Sequence, residues 1–172
     1  STRLQQVTHG AYGHFLNHRQ VFSPDGSRVY FDTRNADPDI ISTDRIESVD
    51  WMHGELRIEV AVERRTPYGP GLGAVVCHPH REHLLFIHGL RNCDALRPYS
   101  STRRFGGLVD ASQDARRGSS PGTVRPAESR SVDLACERGV LRGGTHAHSW
   151  SRDGRWISFT YNDHVVERIH QQ

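Results

Sequence analysis

Residues 143–164 read GGTHAHSWSRDGRWISFTYNDH, and residues 17–34, NHRQVFSPDGSRVYFDTR, carry the same pattern. Laid turn on turn, His18 meets His146, Ser23 meets Ser151, Asp25 meets Asp153, Gly26 meets Gly154 and Phe31 meets Phe159. A local duplication within one chain points to a repeat architecture, in which each unit buries its apolar face against its neighbour. That requirement constrains the fold more than any bulk property does.

A third copy lies between them. CHPHREHLLFIHG places His78-Pro79 where the first unit has Ser23-Pro24, and follows it with Leu84, Phe86 and His88. The corresponding rows are Val29, Phe31 and Thr33 in the first unit and Ile157, Phe159 and Tyr161 in the last. Period two with β-branched and aromatic residues after a D-G turn predicts β-hairpins, so the expected class is all-β. DRIESVDWMHGELRIEVAVER predicts a further hairpin turning at His53-Gly54. Its first arm carries Ile46, Ser48 and Asp50 in one row, and its return carries Leu56, Ile58, Val60 and Val62. Two hairpins make a four-stranded antiparallel unit of the roughly 40 to 45 residues that one propeller blade takes. The expected organisation is a first blade over about 14–65, a second over about 70–111 and the start of a third over about 132–168. Residues 112–131, SQDARRGSSPGTVRPAESRS, are poor in apolar residues and are expected to form a disordered insertion in the second blade.

Composition narrows the function. Of 172 residues 35% are apolar, and the mean hydropathy is −0.66. No run approaches the ~18 apolar residues of a membrane span, and STRLQQVTHG has no signal-like core, so the expectation is a cytoplasmic protein with no membrane partner. Three widely spaced cysteines, Cys77, Cys93 and Cys136, supply neither a zinc knuckle nor a disulfide framework. A net charge of +2 with dispersed arginines argues against nucleic acid as partner. Gly118–Gly122 matches the G-x-S-x-G pattern, but no strand precedes it and Pro121 stands where a helix would begin, so a nucleophile elbow is not expected.

The W/F-S-P-D-G turn followed by an I-x-F strand resembles the TolB-like branch of β-propellers. VFSPDGSRVYFDTR, GAVVCHPHREHLLFIHG and LRGGTHAHSWSRDGRWISFTYNDH are similar, in that order, to the YidR family of uncharacterised proteins of that kind. The resemblance covers most of residues 17–166 and is poor over 90–135. It implies about three blades of an incomplete propeller, since four to eight blades need roughly 170 to 340 residues. It also implies open sheet edges through which the chain would self-associate.

By the same resemblance, the segment entering each turn is an innermost strand lining a central channel. His146 and His148 lie on the last of these, and i, i+2 spacing on a strand sends both imidazoles to one face. Such a pair is a frequent half-site for Mn, Zn, Fe or Ni, completed from neighbouring strands. His18, Gln20, His78 and His80 stand at matching or nearby positions. Two readings are open: a divalent metal held by His146 and His148 with one or two of these, or polar side chains bonded to water and carbonyls. The first allows a lyase acting on acidic oligosaccharides, like the oligogalacturonate lyases, which are also propellers. There the cation would act as Lewis acid and Arg142 or Arg19 would grip a carboxylate. The second gives a binding or scaffold module for a protein, a peptide or a small polar ligand. Asn162 and His164, closing the YNDH block, are further ligand-binding candidates, set against a plain turn at a strand end.

Overall fold

A computed structural model describes residues 4–17, 19–112, 123–130, 140–163, 166 and 169. Three antiparallel sheets follow one another along the chain. The first is β1 (Arg28–Asp32), β2 (Arg45–Asp50) and β3 (Leu56–Ala61) in that order, with a 3-10 helix, Asp37–Ser42, between β1 and β2. The second is β4 (Leu72–Cys77), β5 (His83–Gly89), β6 (Arg104–Asp110) and β7 (Arg125–Pro126). The third pairs β8 (Gly144–Trp150) with β9 (Ile157–Asn162). The protein is almost entirely β, an incomplete propeller-like series of sheets.

Among the described residues, four strands per sheet are reached in the second sheet alone. In the first, the segment before β1 touches it through the bridges Phe15↔Asp32 and Phe22↔Val29 and is not a continuous strand. Gln20, with φ 56°, lies between those bridges in the left-handed region, which interrupts pairing. Of the stretch 112–131, Ser112 and 123–130 are described, and Arg125–Pro126 pairs with Gly107 and Leu108 of β6 as an edge strand. Two residues opposite an existing edge need only backbone hydrogen bonds, which an apolar count does not detect.

The repeat is exact enough to recur as hydrogen bonds. The turn is closed by Ser23 N–H to the Arg28 carbonyl at 2.9 Å, by His78 N–H to His83 at 2.8 Å and by Ser151 N–H to Trp156 at 2.9 Å. In the outer two copies the serine hydroxyl donates to the aspartate at 2.6 Å. The Ser23 hydroxyl and the Ser27 donors hold the Asp25 carboxyl down to about 2. The strands that enter the second and third turns also share a bulge, between Gly73 and Val76 in β4 and between His146 and Ser149 in β8. Each contains a left-handed alanine, Ala74 at φ 54° and Ala147 at φ 52°.

A bulge also decides the face of β3. Ile46 pairs with Val60 but Glu47 pairs with Ile58, leaving Glu59 as the extra residue. A one-residue shift turns a row over. Val60 therefore enters the core, whereas Leu56 and Ile58, expected in the same buried row, are exposed. The main core lies between the first two sheets and joins Tyr30, Ile46 and Val60 to Leu72, Val75, Leu84, Phe86 and Val109. Asp32, fully buried, ties the same sheets: its carboxylate accepts Ala74 N–H at 2.9 Å and Arg34 Nε at 2.9 Å. Burial raises the Asp32 pKa, and the Arg34 charge opposes that rise. β8 packs against β4, β5 and β6.

Candidate functional site

The histidine pair is set by what precedes it. Gly143 and Gly144 let β8 approach two carbonyls that a side chain would meet: a Cβ on Gly143 would lie 1.7 Å from the Asn162 oxygen and one on Gly144 2.0 Å from that of Ser101. Thr145, fully buried, donates its hydroxyl to Glu128, whose carboxylate also accepts Gly106 N–H at 3.1 Å. With its proton given to Glu128, the Thr145 oxygen accepts from His148 Nε2 at 3.0 Å. That fixes the tautomer: Nε2 carries the hydrogen of His148 and Nδ1 the lone pair.

Both His146 Nδ1 and His148 Nδ1 are buried and make no hydrogen bond among the described residues. His148 is 4% exposed, and burial, followed by the His146 and Arg104 charges, pushes its pKa down to about 4. Burial and Arg104 also lower that of His146. Both rings are thus neutral at pH 7. The same-face rule does not carry across a bulge, and the two environments differ. His148 is buried, with Phe159 6.2 Å away and Gly106 closely apposed, whereas His146 is half-buried. The arrangement offers two unprotonated ring nitrogens, which can accept a hydrogen bond or ligate a borderline cation such as Zn, Fe or Ni.

The other predicted residues are placed elsewhere. His78 Nε2 donates to the Gly154 carbonyl at 3.0 Å and its Nδ1 accepts His80 N–H at 3.0 Å. His80 Nε2 donates to Arg152 O at 3.1 Å. These two rings clip the turn of the second repeat onto that of the third. Arg142 forms an ion pair with Asp163 at 3.5 Å, and Tyr161 Oη accepts its backbone N–H at 3.2 Å. Asn162 ends β9 opposite Gly144 with its Oδ1 buried and without a hydrogen bond among the described residues. His18, His164 and Gly118–Gly122 lie outside the described residues. Among the described residues no group of three or more His, Cys, Asp or Glu is arranged to hold a metal ion. Cys77 and Cys93 are buried free thiols, and burial pushes Cys77 up to about 12.

Sequence reasoning missed Glu128 and Thr145. Glu128 sits in a stretch read only as low complexity, and its role depends on β7 bringing it to Gly106. The i, i+3 spacing of Thr145 and His148 across a bulge has no regular-strand signature.

An all-β series of antiparallel sheets with a buried histidine on β8 is the class of protein that the fold defines. The chain belongs to the DUF3748 family, described as a protein of unknown function, whose model matches residues 71–172. It is 31% identical over 166 residues to the uncharacterized protein YidR of Escherichia coli strain K12, an alignment covering 96% of this chain and 36% of that protein. The chain thus spans about a third of the length of that relative. No solved structure matches it. Among the described residues no helix is long and apolar enough to cross a membrane.

Proposed function

We propose that the chain is part of a TolB-like β-propeller, a cytoplasmic binding module that takes a polar ligand at its innermost strands, with His146 and His148 as the receiving groups. The observation that carries this reading is the pair of buried Nδ1 atoms without a hydrogen bond among the described residues. Buried polar atoms are nearly always satisfied, and two such atoms on one strand call for an explanation, which a bound polar group supplies. The Glu128–Thr145–His148 chain supports the reading, because it holds one ring in a single tautomer with its lone pair outward from the bond.

The second reading, a metal-dependent lyase on acidic oligosaccharides, is favoured by the neutrality of both rings, which a metal ligand requires. It needs a third ligand beyond the two histidines. One experiment addresses both readings: histidine ¹⁵N spectra of the full chain titrated separately with Mn, Zn, Fe or Ni ions and with oligogalacturonate. A bound probe moves the Nδ1 resonances of His146 and His148, and His146→Ala/His148→Ala abolishes the binding. If a metal binds, formation of unsaturated uronate product from oligogalacturonate separates lyase from binding module. Failure of every probe to move either resonance would sink the site.

A further inference from the structure

We infer that a second binding site, separate from β8, lies where the core between the first two sheets opens to solvent, and that it takes a small monocarboxylate with an apolar body and a hydroxyl or N–H donor. A cleft of about 460 Å³ is found there, between the end of β3 and the end of β5. This is within the size range of small-molecule sites, roughly 300 to 1,000 Å³.

The residue that singles it out is His88. Leu84, Phe86 and His88 form one row of β5, and the first two belong to the main core. By period two the third position is a core position as well, and His88 is only 4% exposed there. An imidazole in such a place costs desolvation that a leucine would not. Its ring stacks on Phe105 at 4.9 Å, and its Nδ1 donates to the Gly89 carbonyl. Nε2 is therefore the unprotonated acceptor, it has no hydrogen-bond partner among the described residues, and His88 lines the cleft. A neutral acceptor on a nearly buried ring that lines a cleft, with no protein donor opposite it among the described residues, is suited to a ligand's hydroxyl or N–H.

The walls specify the rest of the ligand. Val62, Pro70 and Val124 present apolar surface, and Arg64 and Arg91 present guanidinium groups. Arg91 is oriented by one bond, Nη2 to the Val124 carbonyl at 3.1 Å, and Arg64 makes no ion pair among the described residues. Two guanidiniums beside apolar walls match a planar carboxylate, which each can grip with paired N–H donors. Glu63 also lines the cleft, so the local balance is one positive charge, which favours a monoanion over a polyanion.

The test uses 4-hydroxyphenylacetate as probe on the full ¹⁵N-labelled chain. Saturable amide shifts are expected at 61–64, 88–91 and 123–124 and not in β8, together with an upfield shift of His88 Nε2. 4-Hydroxyphenylethanol, which lacks the carboxylate, and the Arg64→Ala/Arg91→Ala variant should each weaken binding by about tenfold or more. His88→Phe keeps a ring against Phe105 and should abolish the preference for the probe over phenylacetate while retaining the carboxylate requirement. The arginines are on the surface, so their variant reads the site even if His88→Phe does not fold. Absence of saturable binding, binding unchanged in the arginine variant, or shifts centred on β8 would each overturn the inference.

Discussion

Gln20 bridges all three repeats. Its carbonyl accepts Cys77 N–H of the second repeat at 2.6 Å, and its side-chain amide pairs with Trp150 of the third, Nε2 to the carbonyl at 2.9 Å and Oε1 from the N–H at 3.0 Å. A primary amide has the same donor–acceptor spacing as a peptide unit, so Gln20 acts as one residue of a strand beside β8. Gln20→Ala should cost about 1 to 3 kcal/mol in urea unfolding, because it leaves two partly buried backbone groups without partners. Gln20→Glu should cost about as much, since the acid cannot donate to the Trp150 carbonyl. A second prediction at this scale concerns acid. Burial holds both His88 and His148 down to about 4 against an ordinary 6.5. As pH falls below about 6.5 the unfolded chain takes up protons that the folded one refuses. Stability is therefore full above 6.5 and declines toward pH 4, by an amount on the order of 3 kcal/mol for each histidine. Melting followed from pH 7.5 to 4.5 should show the decline, and the ring-proton resonances of both residues should stay fixed between pH 7.5 and 5.5.

Among elements, the repeated turns share a conformation but differ in surroundings. Gly26 and Gly154 have φ 73° and 70°. A Cβ on Gly26 meets nothing within 4 Å, whereas one on Gly154 would lie 2.3 Å from His78 Nε2. Gly26→Ala should thus pay only the left-handed penalty, about 1 kcal/mol. Gly154→Ala should cost more and should also increase hydrogen exchange at Ser151 and Gly154, because it drives the His78 clip off the third turn. The bulge in β3 gives a paired test: Val60→Ala should cost about 2 kcal/mol, while Ile58→Thr should stay within about 0.5 kcal/mol. Equal costs would mean that the row is not turned over. The hairpin itself was legible, with β2 and β3 flanking the expected turn and Gly54 at φ 72°. Its inward face was not, because a bulge has no composition of its own.

For the molecule as a whole, the open question is what covers β9. Among the described residues the strand pairs with β8 alone, and Trp156 and Phe159 are exposed beside it. An unpaired edge with apolar side chains is a template for another strand. We expect sedimentation of the isolated chain to depend on concentration and Phe159→Lys to suppress that dependence. A monodisperse monomer at high concentration would contradict it.

By itself the sequence determined the class of fold and its punctuation. Alternation of apolar and polar residues dictates strands, and Ser23-Pro24-Asp25-Gly26 and its echo dictate turns, because these are local preferences of backbone and side chain that need no partner. It also drew attention to His146 and His148. Only the tertiary structure decided that Ala147 bulges between them, that Glu128 reaches Thr145, that Gln20 joins the first repeat to the third and that His88 lines a cleft. Each of these depends on which backbone lies across from which side chain after packing, and a contact between residues far apart in the chain leaves no periodic trace in it.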